Sequence, residues 1–317
     1  MPGGQRRSQA GRLRHAISEV GDMRLGFHIP IAGGWPNTVR KALRLHCSTL
    51  QVFTSAPVQW AARPLEPEAA AWFREELRRL DIQPLFVHAI YLLNLASADE
   101  MLWRKSRDHL AEELHRAALI GAEGVIFHLG SVGEGGDVRQ GRKRLVRALD
   151  GILAGDDGPV QLILENCAST RESVGCSFED LAWMIDKAKQ PERLRVCLDT
   201  AHAFAHGYPL HSPEGLAETL DLADATFGLD RLAVIHTNDS RGAFGSGVDR
   251  HWHIGKGQIG AAAFRTILAE PRLRHLPFIM ETPAEGGWDA RNMRAIRRLV
   301  DPAYRPVIRR VPKEYRD

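Results

Sequence analysis

Acidic and histidine side chains recur in this chain immediately after short apolar runs. The clearest case is the apolar run Leu194–Leu198, which is followed by Asp199 and, one helical turn later, by His202. A carboxylate and an imidazole at the end of a buried strand cannot both remain unpaired in apolar surroundings. A metal ion is a single partner that satisfies both side chains, so this spacing predicts metal ligation.

Similar positions elsewhere in the chain extend the set of candidate ligands. The set is His88, His128, Glu165, Asp199, His202, His236, Asp249, His251 and Glu281, with His28 in a comparable place after the first apolar run. Any one of them could instead be a hydrogen-bonded structural histidine or a helix cap. If the fold brings all of them to one face of the protein, however, these side chains would repel one another or remain unpaired without cations. Nine nitrogen and oxygen ligands fit two or three ions better than one, and they suit zinc or manganese rather than calcium.

The apolar runs that precede these residues read as strands of a parallel sheet, because a helical pattern follows each of them. The predicted strands are Met23–His28, Thr49–Phe53, Leu85–His88, Gly124–His128, Gln161–Glu165, Leu194–Asp199, Leu232–His236 and Phe278–Glu281. Eight such units predict a closed (β/α)8 TIM barrel, an α/β fold with a single domain. The carboxyl ends of the strands meet on one face of such a barrel, which would bring the candidate ligands together. The long polar loop Asn238–Gly260 is also predicted to be functional.

The composition is that of an ordinary globular enzyme. Of the 317 residues, 44% are hydrophobic and 26% are charged, and the net charge of +3 permits a polyanionic partner without requiring one. The cysteines Cys47, Cys167, Cys176 and Cys197 contain no CxxC pair. This pattern is typical of an intracellular protein rather than of a disulfide framework.

The chain divides into a barrel and two terminal segments. Residues 1–22 contain Arg6, Arg7, Arg12 and Arg14 but no apolar core of a secretory signal, so they are predicted to be a disordered basic tail, with a transit peptide as the alternative. The barrel domain is predicted to span residues 23–305, and residues 306–317 to form a C-terminal tail. No apolar run approaches the ~20 residues of a membrane span. We expect a cytoplasmic protein without membrane association, and a monomer, because a closed barrel exposes no strand edge.

Several motifs, taken in order, resemble those of the endonuclease IV family of abasic-site DNA endonucleases. The resemblance spans about Met23 to Pro283, nearly the whole predicted barrel. The motifs are Phe27-His-Ile-Pro-Ile-Ala-Gly-Gly, Gln51-Val-Phe-Thr, Gln59-Trp60, His88-Ala-Ile-Tyr-Leu-Leu-Asn-Leu-Ala, His128-Leu-Gly-Ser, Leu164-Glu165-Asn166, Asp199-Thr-Ala-His202, His236-Thr-Asn-Asp-Ser, Asp249-Arg-His251, Gly255-Lys-Gly-Gln-Ile-Gly and Glu281-Thr-Pro. Each motif is weak by itself, and their order along the chain makes the set specific.

The resemblance implies a trinuclear zinc site and a DNA-repair activity. One zinc would be held by His88, His128 and Glu165, a second by Glu165, Asp199, His236 and Glu281, and a third by His202, Asp249 and His251. The implied reaction is hydrolysis of the phosphodiester on the 5′ side of an abasic site, which leaves a 3′-hydroxyl and a 5′-deoxyribose phosphate. Glu165 would be catalytic, because it bridges two ions and orients the nucleophile. Manganese is an alternative metal.

The implied partner is double-stranded DNA that carries an abasic lesion, which would place the protein at the nucleoid during repair. The predicted DNA-binding residues are Gln51, Val58, Trp60, Tyr91, Asn94 and Arg250. Val58 stands where the family often carries a basic residue that enters the abasic gap. An apolar side chain could still wedge between bases. For Tyr91 and Trp60 the alternative is ordinary packing under the barrel rim, and for Arg250 it is a solvated or ion-paired side chain.

Two other functions remain open from the sequence. A sugar isomerase or epimerase on the same barrel would also place Glu, Asp and His on divalent metals, but it would leave Asp249 and His251 without a task. A damage-binding module with structural zinc would bind DNA without cutting it, and it predicts closed coordination.

Overall fold

A closed barrel of parallel strands carries the chain's candidate ligands at one end. The computed structural model describes residues 23–168, 172–300 and 311–316. Within these residues, eight parallel strands pair around the barrel in the order β1, β2, β3, β4, β5, β6, β7, β10 and back to β1. The eight barrel strands are β1 (Leu25–His28), β2 (Thr49–Val52), β3 (Leu85–His88), β4 (Gly124–His128), β5 (Gln161–Glu165), β6 (Leu194–Asp199), β7 (Leu232–His236) and β10 (Phe278–Met280). Two short strands, β8 (Asp239–Ser240) and β9 (His251–Trp252), form a separate pair. The predicted TIM barrel is confirmed.

Helices follow the strands and cover the outside of the barrel. They are α1 (Trp35–Arg44), α2 (Pro67–Arg79), α3 (Glu100–Ile120), α4 (Val138–Leu153), α5 (Phe178–Lys187), α6 (Thr200–His206), α7 (Pro213–Thr226), α8 (Gly260–Ala269) and α9 (Trp288–Leu299). Asp99, Asp137, Ser177 and Ser212 cap the first turns of four of them by accepting hydrogen bonds from backbone amides. Helix α6 was not predicted, because its seven residues are too short to show a helical period.

The strand register explains why distant ligands become neighbours. His128 pairs with Glu165 across β4 and β5, and Asp199 pairs with His236 across β6 and β7. Glu281 directly follows β10, whose Ile279 pairs with His236. Paired residues of adjacent parallel strands lie at the same height in a barrel, so these side chains meet in one layer.

Below this layer the barrel is filled by apolar side chains. The buried interior cluster takes one side chain from each of six strands: Phe86, Ile126, Ile163, Cys197, Val234 and Ile279. A second, larger core lies between the strands and the helices. The candidate ligands therefore lie on a layer of tightly packed apolar side chains, and they are accessible only from the carboxyl ends of the strands.

The segment Asn238–Gly260 contains a short hairpin where only a loop was predicted. Strands β8 and β9 pair antiparallel, with Ser240 opposite His251. The buried carboxylate of Asp239 accepts hydrogen bonds from the backbone amides of Ser240, Gly257 and Ile259 at 2.8 to 3.0 Å. This carboxylate fixes both ends of the segment, and the hairpin carries His251 back to the barrel mouth. Two-residue strands are too short to give a recognisable period in the sequence.

One disulfide corrects the cysteine expectation. Cys167 and Cys176 are bonded to each other across the loop that follows β5, with Cα atoms 4.5 Å apart. Their separation of nine residues matches no spacing motif, and only the turn back from β5 to α5 brings them together. Cys47 and Cys197 are free and buried.

The predicted terminal segments fall mostly outside the described residues. The basic tail 1–22 and the predicted domain end at 305 both lie outside, so the domain boundaries stay predictions. Of the C-terminal segment, residues 311–316 pack against α2: the Tyr315 hydroxyl donates to Glu76 at 2.7 Å, and Arg79 donates to Glu314 at 3.0 Å. Among the described residues, no helix combines the length and the apolar character needed to cross a membrane.

Candidate metal centre

The nine predicted ligands converge at the carboxyl end of the barrel. Three overlapping groups of histidine and carboxylate side chains have ligand atoms within 4.8 Å of one another. The first group is His88, His128 and Glu165; the middle group is Glu165, Asp199, His236 and Glu281; the outer group is Asp199, His202 and His251. The ninth residue, Asp249, lies at the edge of the outer group, with its carboxylate 3.2 Å from His202 Nε2 and 3.5 Å from His251 Nε2.

Glu165 joins the groups through its two carboxylate oxygens. Its Oε2 lies 3.2 Å from Nε2 of both His88 and His128. Its Oε1 lies 2.9 Å from Nδ1 of His236 and 3.5 Å from Nδ1 of His202. The two oxygens therefore face different groups, which is the arrangement that a bridging carboxylate requires.

In four of the imidazoles, one ring nitrogen faces a carbonyl oxygen of the protein. Nδ1 of His88 donates to the Ala89 carbonyl at 2.7 Å, and Nδ1 of His202 donates to the Asn166 carbonyl at 2.9 Å. Nδ1 of His251 faces the Glu281 carbonyl at 3.4 Å. Nε2 of His236 donates to the Gln51 side-chain oxygen at 2.7 Å. Each ring thus turns its other nitrogen to the cluster, as metal-ligating histidines do.

Three buried amides hold the carboxylates. Asn166 accepts from the Asp199 backbone amide at 2.7 Å, and Asn238 donates to Asp199 Oδ2 at 2.6 Å. Gln51 donates to Glu281 Oε1 at 2.7 Å, an oxygen that also lies 3.1 Å from Nδ1 of His28. Sequence reasoning missed the supporting roles of Asn166 and Asn238, which stood only within longer motifs. Their signal was an amide side chain close to a predicted ligand in the sequence.

The electrostatics favour positive charge at the centre of the cluster. Burial by itself would lower the pKa of His202, but the carboxylates of Asp199 and Asp249 raise it well above the ordinary value. The pKa of His236 is likewise raised well above its ordinary value, because Cys197, Glu281 and Glu165 together outweigh its burial. Burial would raise the pKa of Glu165, yet the imidazoles of His236 and His128 hold it well below its usual range. Buried carboxylates that demand cationic partners, with imidazoles as co-ligands, fit a set of divalent ions such as zinc.

The Cys197 sulfur lies within 4.8 Å of ligand atoms of Glu165 and His236, and its side chain packs in the apolar interior cluster below the layer of candidate ligands. Burial raises the pKa of its thiol to about 12, so the thiol keeps its proton near neutral pH.

Two of the candidate ligands are open to solvent, one in the first group and one beside the outer group. The side chains of Glu165, Asp199 and His236 are fully buried, whereas that of His128 is 40% exposed and that of Asp249 is 53% exposed. A purely structural metal site is closed by its protein ligands. This cluster opens on one side, so a substrate can reach it.

Comparisons with known proteins agree on one family. The profile of a family described as a xylose isomerase-like TIM barrel matches residues 39–301. A protein from Methanosphaerula palustris named as a probable endonuclease 4 is 41% identical over 284 residues, which are 88% of this chain and 99% of that protein. The crystal structure of endonuclease IV from Thermus thermophilus is 40% identical, with a TM-score of 0.75 over 87% of this chain and 98% of that one. The chain belongs to the endonuclease IV family.

The barrel itself is more widely shared than the endonuclease IV family. A D-tagatose 3-epimerase-like protein is 17% identical, with a TM-score of 0.68 over 87% of this chain and 97% of that one. Likeness at this level of identity shows the fold alone.

In this endonuclease IV family member, three of the predicted DNA-binding residues are exposed. They are Val58, Tyr91 and Arg250. The Tyr91 ring lies 5.6 Å from the His128 ring, beside the opening of the cluster. Burial and the carboxylates of Glu281 and Glu165 raise the pKa of the Tyr91 hydroxyl, so it remains a neutral hydrogen-bond donor.

The other three predicted DNA-binding residues have contacts within the protein. Gln51 is fully buried beneath the cluster and is bonded to His236 and Glu281, so its surroundings suit ligand support rather than direct DNA contact. The Asn94 side chain donates to the Ser131 carbonyl at 2.8 Å and so ties the loop after β3 to the loop after β4. Trp60 packs edge-on against His109, as its alternative interpretation predicts. His253, two residues after His251, is buried and stacks on Trp288 with their ring centroids 3.7 Å apart.

Proposed function

We propose that this protein is a metal-dependent endonuclease that hydrolyses the phosphodiester on the 5′ side of abasic sites in DNA. The products would be a 3′-hydroxyl and a 5′-deoxyribose phosphate. The observation that carries the proposal is the convergence of nine ligands in overlapping groups around Glu165, at an open barrel mouth, in a chain of the endonuclease IV family.

The donor set supports about three zinc ions, since a catalytic zinc takes about three protein ligands. His88, His128 and Glu165 would hold one ion. Glu165, Asp199, His236 and Glu281 would hold the second, and His202, Asp249 and His251 the third. When bound, the ions would lower the pKa of water and stabilise negative charge on the phosphate oxygens. Manganese has the same ligand preferences and is the alternative metal.

The protein's own residues set the geometry of this site. Glu165 is buried and is held from both oxygens, so it would keep neighbouring ions at a constant separation. Gln51, Asn166 and Asn238 prevent the imidazoles and carboxylates from rotating. Such preorganisation reduces the rearrangement needed when a scissile phosphate arrives.

The surface around the mouth suits a DNA backbone with a gap in its base stack. Val58 and Tyr91 are exposed, with Tyr91 beside His128, and Arg250 is exposed and stands between two proposed ligands in the sequence. Extruding an abasic sugar costs little stacking energy compared with an intact base. The exposed apolar side chains could fill the gap, while Arg250 could bind a phosphate.

The two competing functions fit the site less well. A sugar isomerase or epimerase would need one or two ions, which leaves Asp249 and His251 without a role even though both face His202. A damage-binding module would need a closed metal site, whereas His128 and Asp249 are open to solvent. The endonuclease accounts for both features.

The test is cleavage of a DNA duplex that contains one tetrahydrofuran abasic analogue. This analogue cannot undergo β-elimination, so only hydrolysis can cut the strand. We expect a cut on its 5′ side with a 3′ end that a polymerase extends directly, and no cut in the matched intact duplex. A cut on the 3′ side, or equal cutting of both duplexes, would contradict the proposal.

A further inference from the structure

The β2 loop, residues 53–66 between β2 and α2, is anchored on one face of α3. This loop carries Val58 and Trp60. Lys105, His109, Glu113 and Arg116 contact it, and their spacing of three or four residues places them on one side of the helix. Glu113 and Arg116 are 1% and 4% exposed.

The start of the β2 loop is held by a buried hydroxyl between two opposite charges. Thr54 Oγ1 donates to Glu113 Oε2 at 2.5 Å and accepts from Arg116 Nε at 2.8 Å. Ser55 Oγ donates to the other oxygen of Glu113 at 3.1 Å, and Arg116 Nη2 donates to the Thr54 carbonyl at 2.5 Å. The hydroxyl of Thr54 therefore completes the link between the two charges.

The end of the loop is held by the same helix. Arg116 Nη1 donates to the Arg63 carbonyl at 2.9 Å, so one guanidinium binds both ends of the loop. The Trp60 ring meets His109 edge-on and lies 4.3 Å from Lys105 Nζ. His109 Nε2 in turn lies 3.3 Å from Glu113 Oε1.

The middle of the loop is tied to the edge of the metal centre. The Pro57 carbonyl accepts a hydrogen bond from the Tyr91 backbone amide at 2.9 Å, and the Tyr91 ring adjoins His128. The next residue, Val58, is 67% exposed. The exposed tip is thus flanked by three anchors and stands beside the mouth of the cluster.

Two buried opposite charges that are linked through a hydroxyl do not by themselves point to stability. Replacing such a pair with apolar side chains is often neutral or stabilising, because desolvation offsets the attraction between the charges. The hydrogen bonds of Glu113 and Arg116 to the β2 loop instead favour a single loop conformation, because only one geometry satisfies all of them. A loop that is ordered in advance loses less entropy when it binds its partner.

We propose that Glu113 and Arg116 are positioning residues for lesion recognition, which act through Thr54 to present Val58 to DNA as a preformed apolar wedge. The inference deepens the proposed function and rests on it. Both residues lie on the outer side of the β2 loop and contact none of the proposed metal ligands. Their loss should therefore weaken lesion binding and leave the chemistry of bound substrate intact.

The experiment compares Glu113→Gln and Thr54→Val with Thr54→Ser in the metal-loaded protein. Thr54→Val keeps the volume and removes the bridging hydroxyl, whereas Thr54→Ser keeps the hydroxyl. The control is Arg193→Lys, which weakens a partly buried pair with Asp156 (2.6 Å) at the opposite end of the barrel. Two readouts are measured: amide hydrogen exchange in residues 53–66 without DNA, and KM and kcat with the tetrahydrofuran duplex.

We expect faster exchange in the β2 loop, and a KM raised about tenfold with kcat nearly unchanged, for Glu113→Gln and Thr54→Val. Thr54→Ser and Arg193→Lys should match the parent protein in both readouts. Unchanged exchange in the loop would overturn the anchoring, and an equal loss of kcat in all variants would overturn the positioning role. If the parent protein fails to cut the duplex, the proposed function fails, while the exchange readout still tests the anchor.

Discussion

The side-chain amide of Asn238 donates a 2.6 Å hydrogen bond to Oδ2 of Asp199, and both side chains are fully buried. The other end of the same amide accepts the backbone N–H of Glu281 at 2.8 Å. One asparagine therefore orients a carboxylate from β6 and the backbone that carries a carboxylate after β10. Ligand geometry in this barrel depends on residues that would bind no metal themselves.

Replacing Asn238 should loosen the metal centre. We expect Asn238→Ala to weaken metal binding by about 10- to 100-fold, because it frees Asp199 to rotate and leaves the Glu281 amide unpaired. Competition with a chelator measures the change. Thr219→Val is the control, since it removes a buried hydrogen bond of 2.7 Å within α7, away from the cluster. Equal metal affinity in Asn238→Ala and the parent protein would show that Asp199 needs no such support.

Removing the charge of Glu165 should stop the reaction without unfolding the barrel. Glu165→Gln keeps the shape of the side chain, but an amide cannot neutralise cations on both sides. We expect kcat to fall by about 100-fold or more at unchanged far-ultraviolet circular dichroism. The measurement is turnover of the tetrahydrofuran duplex, normalised to bound metal. Near-normal turnover at normal metal content would remove Glu165 from the mechanism.

Metal removal should make stability depend on pH in a specific direction. The pKa values of His202 and His236 are raised in the folded protein, so protonation of these histidines stabilises the fold. This stabilisation is complete below their ordinary pKa of 6.5, and it is lost as the pH rises through their raised pKa values. The lowered pKa of Glu165 and of Glu281 adds stability that is lost only at strongly acidic pH. Chelated protein should therefore melt at a lower temperature at about pH 9 than at about pH 6.

Two comparisons check this origin of the pH dependence. Zinc-loaded protein should show a smaller fall between the two pH values, because bound metal replaces the protons as the partner of the carboxylates. In chelated His202→Asn the fall should also shrink. A fall of the same size in all three samples would assign the effect to other groups.

The thiol count distinguishes the disulfide from four free cysteines. We expect two reactive thiols per chain in denaturant without reductant, from Cys47 and Cys197, and four after reduction. In the folded protein both free thiols should resist alkylation, because they are buried and burial raises the pKa of each to about 12. Four thiols before reduction would show that Cys167 and Cys176 are not bonded.

The barrel, and the placement of the candidate ligands at its strand ends, were predictable because both depend on local pattern. An apolar run ending in His128 or Glu165 identifies both a strand and the residue at its carboxyl end, and the barrel topology then brings those ends together. The support for these ligands depends on tertiary contacts that no spacing reveals. Gln51 was predicted to contact DNA, yet it is buried and hydrogen-bonded to His236, because its side chain points into the barrel.

The anchor of the β2 loop shows the same limit. Glu113 and Arg116 read as ordinary charged residues of a helix, and only the packing of α3 against the β2 loop buries them on Thr54. The disulfide likewise depends on the path of the chain between β5 and α5. Contacts between polar side chains that are distant in the sequence are the part of this structure that local sequence pattern does not predict.

Cleavage measured against zinc content is the decisive experiment for this metal centre. Metal-free protein would be titrated with zinc, and bound zinc per chain and cleavage of the tetrahydrofuran duplex would be determined on the same samples. We expect cleavage on the 5′ side to reach its maximum as bound zinc approaches about three per chain. Full cleavage without bound metal, or no cleavage with all ligand groups loaded, would contradict a metal-dependent endonuclease.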